Sequence, residues 1–245
     1  MSRSNRIQYA GALYHVTSRG NRRANIFVDD RDHLIWCDLM AKTVDRFGVI
    51  VHSFCHMPNH YHLLVETPAA NLSASIHHLN SNYAQTFNKR HRLTGHVLQG
   101  RFHAELLEHH AHLLALTRYI VLNPVRAQLV AEPEHWRWSS YTSTCGLTHP
   151  FPWISEEWLL SQFPGVSRSE QVAAYRRFVA LGKEQGKTIK GHVAGRPLTH
   201  YSDQHTDRDA AVAEAYKSGA YSVDEIADYF KISCKTVRRA IKKWT

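Results

Sequence analysis

Two histidines stand two residues apart in the segment NHYHLLVE, at positions 60 and 62. Successive residues of a β-strand point to opposite faces of the sheet, so His60 and His62 share one face while Tyr61, Leu63 and Val65 share the other. Two neutral imidazole nitrogens on one sheet face can hold a metal ion. Because the chain has 19 histidines, a chance pair with a purely structural role is the alternative.

A tyrosine and an amide share one face of a predicted helix in the segment RYIVLNP. Tyr119 and Asn123 are four residues apart, which places both side chains on the same side of the helix. A phenol and an amide oxygen therefore project together.

A closed zinc site is a competing interpretation of the histidines. Its ligands would be His52, His56, His60 and His62, with Cys55 as a further donor. This alternative leaves the pairing of Tyr119 with Asn123 without an explanation.

The spacing of apolar residues alternates between two and 3.6 from Ala12 to Asn123, which predicts the order β-α-β-β-α-β-α. The first six elements have the order of the split βαβ, or ferredoxin-like, sandwich, an antiparallel sheet with two helices on one face. The fold class is therefore α+β, with an added third helix that carries Tyr119. We expect Gly48 to end the first helix and Pro124 to end the third, and a turn at Met57-Pro58.

Five segments between residues 14 and 141 carry a family resemblance. They are YHVTSRGN, MPNHYHLLVE, LQGRFH, RYIVLNPVRAQLV and WRWSSY. Together they resemble the HUH single-strand endonuclease superfamily, in its single-tyrosine transposase branch, and they are most similar to the REP-associated tyrosine transposases.

The resemblance implies a role for each matching residue. Tyr119 would be the nucleophile, His60 and His62 metal ligands, and Asn123 a third ligand where the single-strand transposases more often have glutamine. The metal would be Mg²⁺ or Mn²⁺. Attack would leave a 5′-phosphotyrosine and a free 3′-hydroxyl on single-stranded DNA that forms hairpins at REP-like palindromic repeats.

The charge of the chain is consistent with a nucleic-acid partner. Lysine and arginine exceed aspartate and glutamate by 30 to 21, and the pI is near 9.5. Trp136, Trp138 and Tyr141 either stack on unpaired bases or pack against the sheet. The cations that could contact phosphates, each also explained as a solvated surface charge, are Arg19, Arg22, Arg23, Lys89, Arg90, Arg92 and Arg101.

Helical signals at 207–217, 222–229 and 234–244 predict a separate C-terminal module, and 182–205 is predicted to be a linker. The module resembles the helix-turn-helix domain of serine recombinases, and Gly195-Arg196-Pro197 resembles their minor-groove arm. A helical bundle with a merely basic face is the alternative. Its candidate DNA contacts are Arg196, Lys235, Arg238, Arg239 and Lys242.

The predicted division is an HUH nuclease domain at 1–145, a helical extension and linker at 146–194, and a helix-turn-helix domain at 195–245. No apolar run is long enough to span a bilayer and the N-terminus lacks a secretory signal, so a bacterial cytoplasmic, nucleoid-associated protein without membrane contact is expected. The four scattered cysteines are expected to be reduced. A monomer is favoured.

The predicted function is cutting and joining of single-stranded hairpin DNA, with duplex DNA bound by the C-terminal domain. A non-catalytic DNA-binding regulator built on the same scaffold is the alternative. An RNA-binding sheet protein is a third, which would carry stacking aromatics where this chain carries histidines.

Overall fold

A computed structural model describes residues 8–107, 110–184, 198–205, 207–217, 221 and 223–244 of the chain. The described residues fall into two compact units. One lies within Met1–Leu107 and Thr117–Gly186, and the other within Glu108–Leu116 and Lys187–Thr245.

The first unit contains a four-stranded sheet. Its strands are β1 (Ala12–Arg19), β2 (Ile50–Met57), β3 (His60–Thr67) and β4 (His103–Leu106). They lie in the order β2-β3-β1-β4, and every neighbouring pair is antiparallel. This order confirms the ferredoxin-like fold predicted from the sequence, although the turn between β2 and β3 falls at Pro58-Asn59 rather than at Met57-Pro58.

Two long helices cover one face of this sheet, α1 (Asp30–Phe47) and α2 (Leu72–His91). Asp29 caps the start of α1 by accepting hydrogen bonds from two backbone N–H groups, and Gly48 ends it in the left-handed conformation, as predicted. Burying each large apolar side chain contributes about 1.5–3 kcal/mol. The fully buried residues that meet between sheet and helices include Val16, Leu63, Val65, Trp36, Met40, Ile76 and Leu79.

The third helix, α3, runs from His110 to Arg126 and continues through Pro124, so the prediction that this proline ends it is wrong. Proline has no N–H to donate to the carbonyl four residues earlier, which here belongs to Ile120. The Asn123 side chain supplies a donor instead: its Nδ2 lies 2.9 Å from the Tyr119 carbonyl and 3.3 Å from the Ile120 carbonyl. The backbone bond from Ala127 to Asn123 then closes the last turn.

Shorter helices complete both units. The first unit has 3-10 turns at Asn21–Arg23 and Pro133–His135 and helices α4 (Ser140–Thr144), α5 (Glu156–Leu160) and α6 (Arg168–Glu184). The second has α7 (Leu198–Gln204), α8 (Arg208–Lys217), α9 (Val223–Phe230) and α10 (Cys234–Trp244). The linker predicted at 182–205 is therefore wrong at both ends, because α6 extends into its start and α7 occupies its end. Its middle, which includes Arg196, lies outside the described residues. None of the described helices combines the length and apolar character needed to cross a membrane.

The aromatic residues of WRWSSY make packing contacts. Trp136 donates its indole N–H to the His56 carbonyl at 2.8 Å, and the Trp138 ring stacks on His33 at 4.2 Å between centroids. Tyr141 is buried. Of the two interpretations of these residues, packing against the sheet domain matches the structure.

The role of Asn123 in carrying the helix past Pro124 can be tested by a double-mutant cycle. Asn123→Ala removes the donor to the Ile120 carbonyl, which we expect to cost about 1 kcal/mol in the free energy of unfolding. In a Pro124→Ala background the new backbone N–H at position 124 can serve that carbonyl, so the same substitution should cost less. Urea denaturation of the four proteins measures both costs, and equal costs would contradict this account.

Candidate functional site

The candidate site lies on the sheet face opposite to α1 and α2. In the β1–β3 register Thr17 faces His62 and Arg19 faces His60, so all four side chains belong to one face. Tyr61 between the histidines is fully buried on the other face. The period of two therefore places the histidine pair as the sequence predicts.

The orientation of His60 is fixed by the loop before it. The Asn59 side chain donates through Nδ2 to the Arg23 carbonyl at 3.1 Å, which turns its Oδ1 toward His60 Nδ1 at 2.6 Å. An amide oxygen only accepts, so His60 Nδ1 carries the proton and its Nε2 keeps a lone pair. Gly20 allows this close loop, because a Cβ there would lie 2.0 Å from the Ala24 carbonyl oxygen.

His62 is held by a histidine from the neighbouring strand. His15 Nε2 lies 2.9 Å from His62 Nδ1, and the two rings are stacked with centroids 5.2 Å apart. When His62 donates this bond, its Nε2 also keeps a lone pair. That Nε2 is buried and has no hydrogen-bond partner among the described residues. Burial holds the pKa of His62 well below its ordinary value, and the neighbouring His15, His60 and Arg19 lower it further.

Tyr119 comes from α3 and lies against His62 and His15. Its ring meets His62 edge-on at 5.8 Å between centroids and His15 at 6.2 Å. The side chain is half-buried. The structure thus brings together a phenol from α3 and imidazoles from β1 and β3, residues far apart in sequence.

Asn123 lies one turn beyond Tyr119 and is half-buried. Its amide nitrogen is engaged with helix carbonyls, which leaves Oδ1 as the atom that a cation could use. Its assignment as a third ligand stays a prediction.

Sequence reasoning missed three residues of the site: His15, Asn59 and Arg126. The guanidinium carbon of Arg126 lies 4.9 Å from the centroid of the Tyr119 ring. A period-two pattern through Thr17 and Arg19 would have placed His15 on the site face. Arg126 lay beyond the predicted end of α3.

The closed zinc site is wrong. His56 is fully buried on the helix-covered face with its Nδ1 3.1 Å from His33, while His52 pairs with Glu66 at 3.1 Å. In the part of the chain that the structure describes, no group of three or more His, Cys, Asp or Glu could hold a metal ion. Among the described His, Cys, Asp and Glu residues, a metal at His60 and His62 would therefore have these two ligands.

The predicted phosphate contacts occupy different places. Arg19 is exposed and lies close enough to lower the pKa of His60, and Arg22 and Arg23 are exposed in the turn after β1. Arg90 instead forms ion pairs with Asp29 and Asp32. Lys89 and Arg92 are exposed at the end of α2 and Arg101 before β4, and their contact with DNA stays a prediction.

The C-terminal unit has its own small core, built from α7 to α10 around Tyr201, Val212, Ile226 and Val237. Helices α9 and α10 are joined by three residues, and Ser233 caps α10 by accepting from the Thr236 N–H at 3.2 Å. Lys235 and Arg239 are exposed on one face of α10, while the side chains of Arg238 and Lys242 lie outside the described residues.

Comparison with known proteins relates the sheet domain to one family. Residues 8–123 match the family model described as "Transposase IS200 like". This segment, a little under half of the chain, is similar to the IS200-like transposases. The matched segment contains the histidine pair, His15, Tyr119 and Asn123. No curated protein matched the chain.

Solved structures also match the chain. One is the "REP associates tyrosine transposase bound to a REP hairpin", with a TM-score of 0.52 and 19% identity over 63% of this chain and 92% of that one. Another is a putative transposase from Deinococcus radiodurans R1, with a TM-score of 0.35 and 17% identity over 49% of this chain and 95% of that one. At this identity the first likeness shows the fold alone.

The site histidines should resist protonation. Burial lowers the pKa of His15 and His60 to about 4, whereas an unfolded histidine titrates at about 6.5. The unfolded chain therefore binds more protons between these values, so stability is complete above about pH 6.5 and falls as pH decreases toward 4. NMR titration of metal-free protein, with signals assigned through His15→Gln and His60→Gln, measures the midpoints. Midpoints of about 6 or higher would contradict the burial.

Proposed function

We propose that this IS200-like transposase cuts and joins single-stranded DNA, with Tyr119 as the nucleophile. The observation that carries the proposal is the edge-on contact of the Tyr119 ring with His62, 5.8 Å between centroids, beside the paired His60. A phenol placed against two neutral imidazoles is suited to attack a phosphodiester whose charge the same site can neutralise.

A divalent cation fits the donor set. The hydrogen bond to Asn59 leaves a lone pair on His60 Nε2, and His62 Nε2 has one when His62 donates to His15; this Nε2 has no hydrogen-bond partner among the described residues. Hydrogen bonds that fix the tautomer in this way are typical of histidine ligands. When bound, Mg²⁺ or Mn²⁺ would act as a Lewis acid on a non-bridging phosphate oxygen. Asn123 Oδ1 is the proposed third protein ligand.

The proposed reaction exchanges one phosphodiester for another. The Tyr119 oxygen forms a bond to phosphorus as the bond from phosphorus to the DNA 3′-oxygen breaks, and the phenolic proton ends on that 3′-oxygen. The product is a 5′-phosphotyrosine with a free 3′-hydroxyl. Because no bond energy is lost, a DNA 3′-hydroxyl can reverse the step, which permits strand transfer without ATP.

Hairpin DNA is the proposed substrate. The structural relative with the same fold is bound to a REP hairpin, and the exposed Arg19, Arg22 and Arg23 at the end of β1 offer positive charge beside the histidine pair. Phosphate contacts of this kind position a strand without reading its sequence.

The adduct assay tests the nucleophile. Wild-type protein is incubated with a pool of single-stranded hairpins and Mn²⁺, and protein–DNA adducts are counted on a denaturing gel. Tyr119→Phe keeps the ring, so we expect hairpin affinity near that of wild type and no adduct. His62→Ala should also bind DNA but lose most of the adduct, because the metal contributes to chemistry more than to affinity.

Tyr83→Phe is the matched control, since Tyr83 is buried in the core and should leave the adduct unchanged. An adduct formed by Tyr119→Phe would place the nucleophile elsewhere. Hairpin binding by wild type with no adduct under any metal condition would favour the non-catalytic regulator.

We also propose that α9 and α10 form a helix-turn-helix that binds duplex DNA through α10. Its exposed Lys235 and Arg239 lie opposite the buried Val237 and Ala240, so a basic face is free to approach a groove. Lys235→Gln with Arg239→Gln should weaken duplex binding several-fold and spare adduct formation on a short hairpin. Fluorescence anisotropy with duplex DNA measures the first effect, and unchanged duplex affinity would refute the assignment.

A further inference from the structure

Arg126 is a half-buried cation beside Tyr119. It lies on the same face of α3 as Tyr119, seven residues later, with its guanidinium carbon 4.9 Å from the centroid of the Tyr119 ring. Its Nη1 is inaccessible to solvent and has no hydrogen-bond partner among the described residues. The guanidinium therefore lies over an aromatic face, and it has no anionic partner among the described residues.

Two other arginines of the same unit lie over aromatic rings and also have an acceptor. Arg137 lies 4.5 Å over the Trp138 ring and also donates to Asp30 at 3.0 Å. Arg118 lies 4.5 Å over the Phe178 ring and donates to the Phe178 carbonyl at 3.5 Å. Both combine ring contact with an acceptor, which Arg126 lacks in the described part of the chain.

The surroundings of Arg126 do not compensate its charge. Burial lowers its pKa, the Tyr119 phenol raises it, and the nearby Arg118 lowers it. Arginine nevertheless stays protonated in proteins. A buried N–H group without an acceptor is costly. Such a group calls for an explanation, and an anion that arrives from outside supplies one.

We propose that Arg126 is a phosphate-binding residue of the site, whose free Nη1–H donates to a non-bridging oxygen of the phosphodiester that Tyr119 attacks. This inference rests on the proposed attack by Tyr119. A guanidinium over the ring face does not itself cover the edge of the ring that carries the hydroxyl. After the transfer Arg126 holds the same phosphate as part of the 5′-phosphotyrosine, with a charge-assisted hydrogen bond.

The experiment uses the full chain and two readouts, one of which does not depend on cleavage. Binding of a fluorescent oligothymidylate of about 15 nucleotides is measured by anisotropy across a series of salt concentrations for wild type, Arg126→Gln, Arg126→Lys and Arg137→Gln. The hairpin adduct rate is measured for the same proteins, and thermal unfolding is recorded without DNA.

We expect Arg126→Gln to weaken oligonucleotide binding several-fold and to reduce the salt slope by about 0.7, the change for one lost phosphate contact on a single strand. Its melting temperature should be equal to or higher than that of wild type, because the buried Nη1–H without an acceptor is gone. Arg126→Lys, which keeps the charge, should retain the salt slope. Arg137→Gln should bind as wild type does.

If Arg126→Gln binds the oligonucleotide with the affinity and the salt slope of wild type, the inference is overturned. A lower melting temperature with unchanged oligonucleotide binding would also overturn it, because that result indicates a structural role. If Arg126→Gln does not fold, Arg126→Met, which keeps the length of the side chain and removes the charge, is measured in its place, and a wild-type salt slope in that variant would overturn the inference. Weaker oligonucleotide binding in Arg126→Gln while wild type forms no adduct would leave the phosphate site standing and reject the nuclease. A normal adduct rate and unchanged oligonucleotide binding in Arg126→Gln would reject the phosphate site and leave the nuclease proposal standing.

Discussion

The pairing of β1 with β3 at the centre of the sheet is the constraint on which the site depends. Because side chains alternate along a strand, a slip of one residue would turn His60 and His62 into the core and Leu63 and Val65 out of it. Leu63 and Val65 are fully buried against α1 and α2, and each contributes about 1.5–3 kcal/mol through that burial. Hydrophobic packing on one face therefore fixes the direction of the imidazoles on the other.

The second requirement is that α3 continue past Pro124. A helix that ended there would place Tyr119 in its last turns and would not carry Arg126 onto the same face. Asn123 makes the continuation possible, because its side chain gives the Ile120 carbonyl the hydrogen bond that proline cannot. The amide that the sequence indicates as a metal ligand thus also supports the helix, and only its oxygen is left for a cation.

The sequence predicted the elements whose signals are local and periodic. The strand order, the shared face of His60 and His62, and the shared face of Tyr119 and Asn123 all follow from periods of two and 3.6. The end of α3 was predicted wrongly because the rule for proline does not consider a side-chain donor, and that error hid Arg126. The bond between His15 and His62 joins residues 47 positions apart, so only the register of β1 against β3 reveals it.

In the protein without DNA, two buried groups next to Tyr119 lack a hydrogen-bond partner among the described residues. Arg126 Nη1 is a buried donor, and His62 Nε2 is a buried acceptor when His62 donates to His15; neither has a partner among the described residues. Folded proteins leave few such groups, because each costs about 1–3 kcal/mol. A lone pair on neutral imidazole suits a cation and a guanidinium suits an anion, so no single ion satisfies both. In the proposed reaction, a phosphodiester that brings a divalent cation would satisfy both, and its binding would stabilise the folded protein.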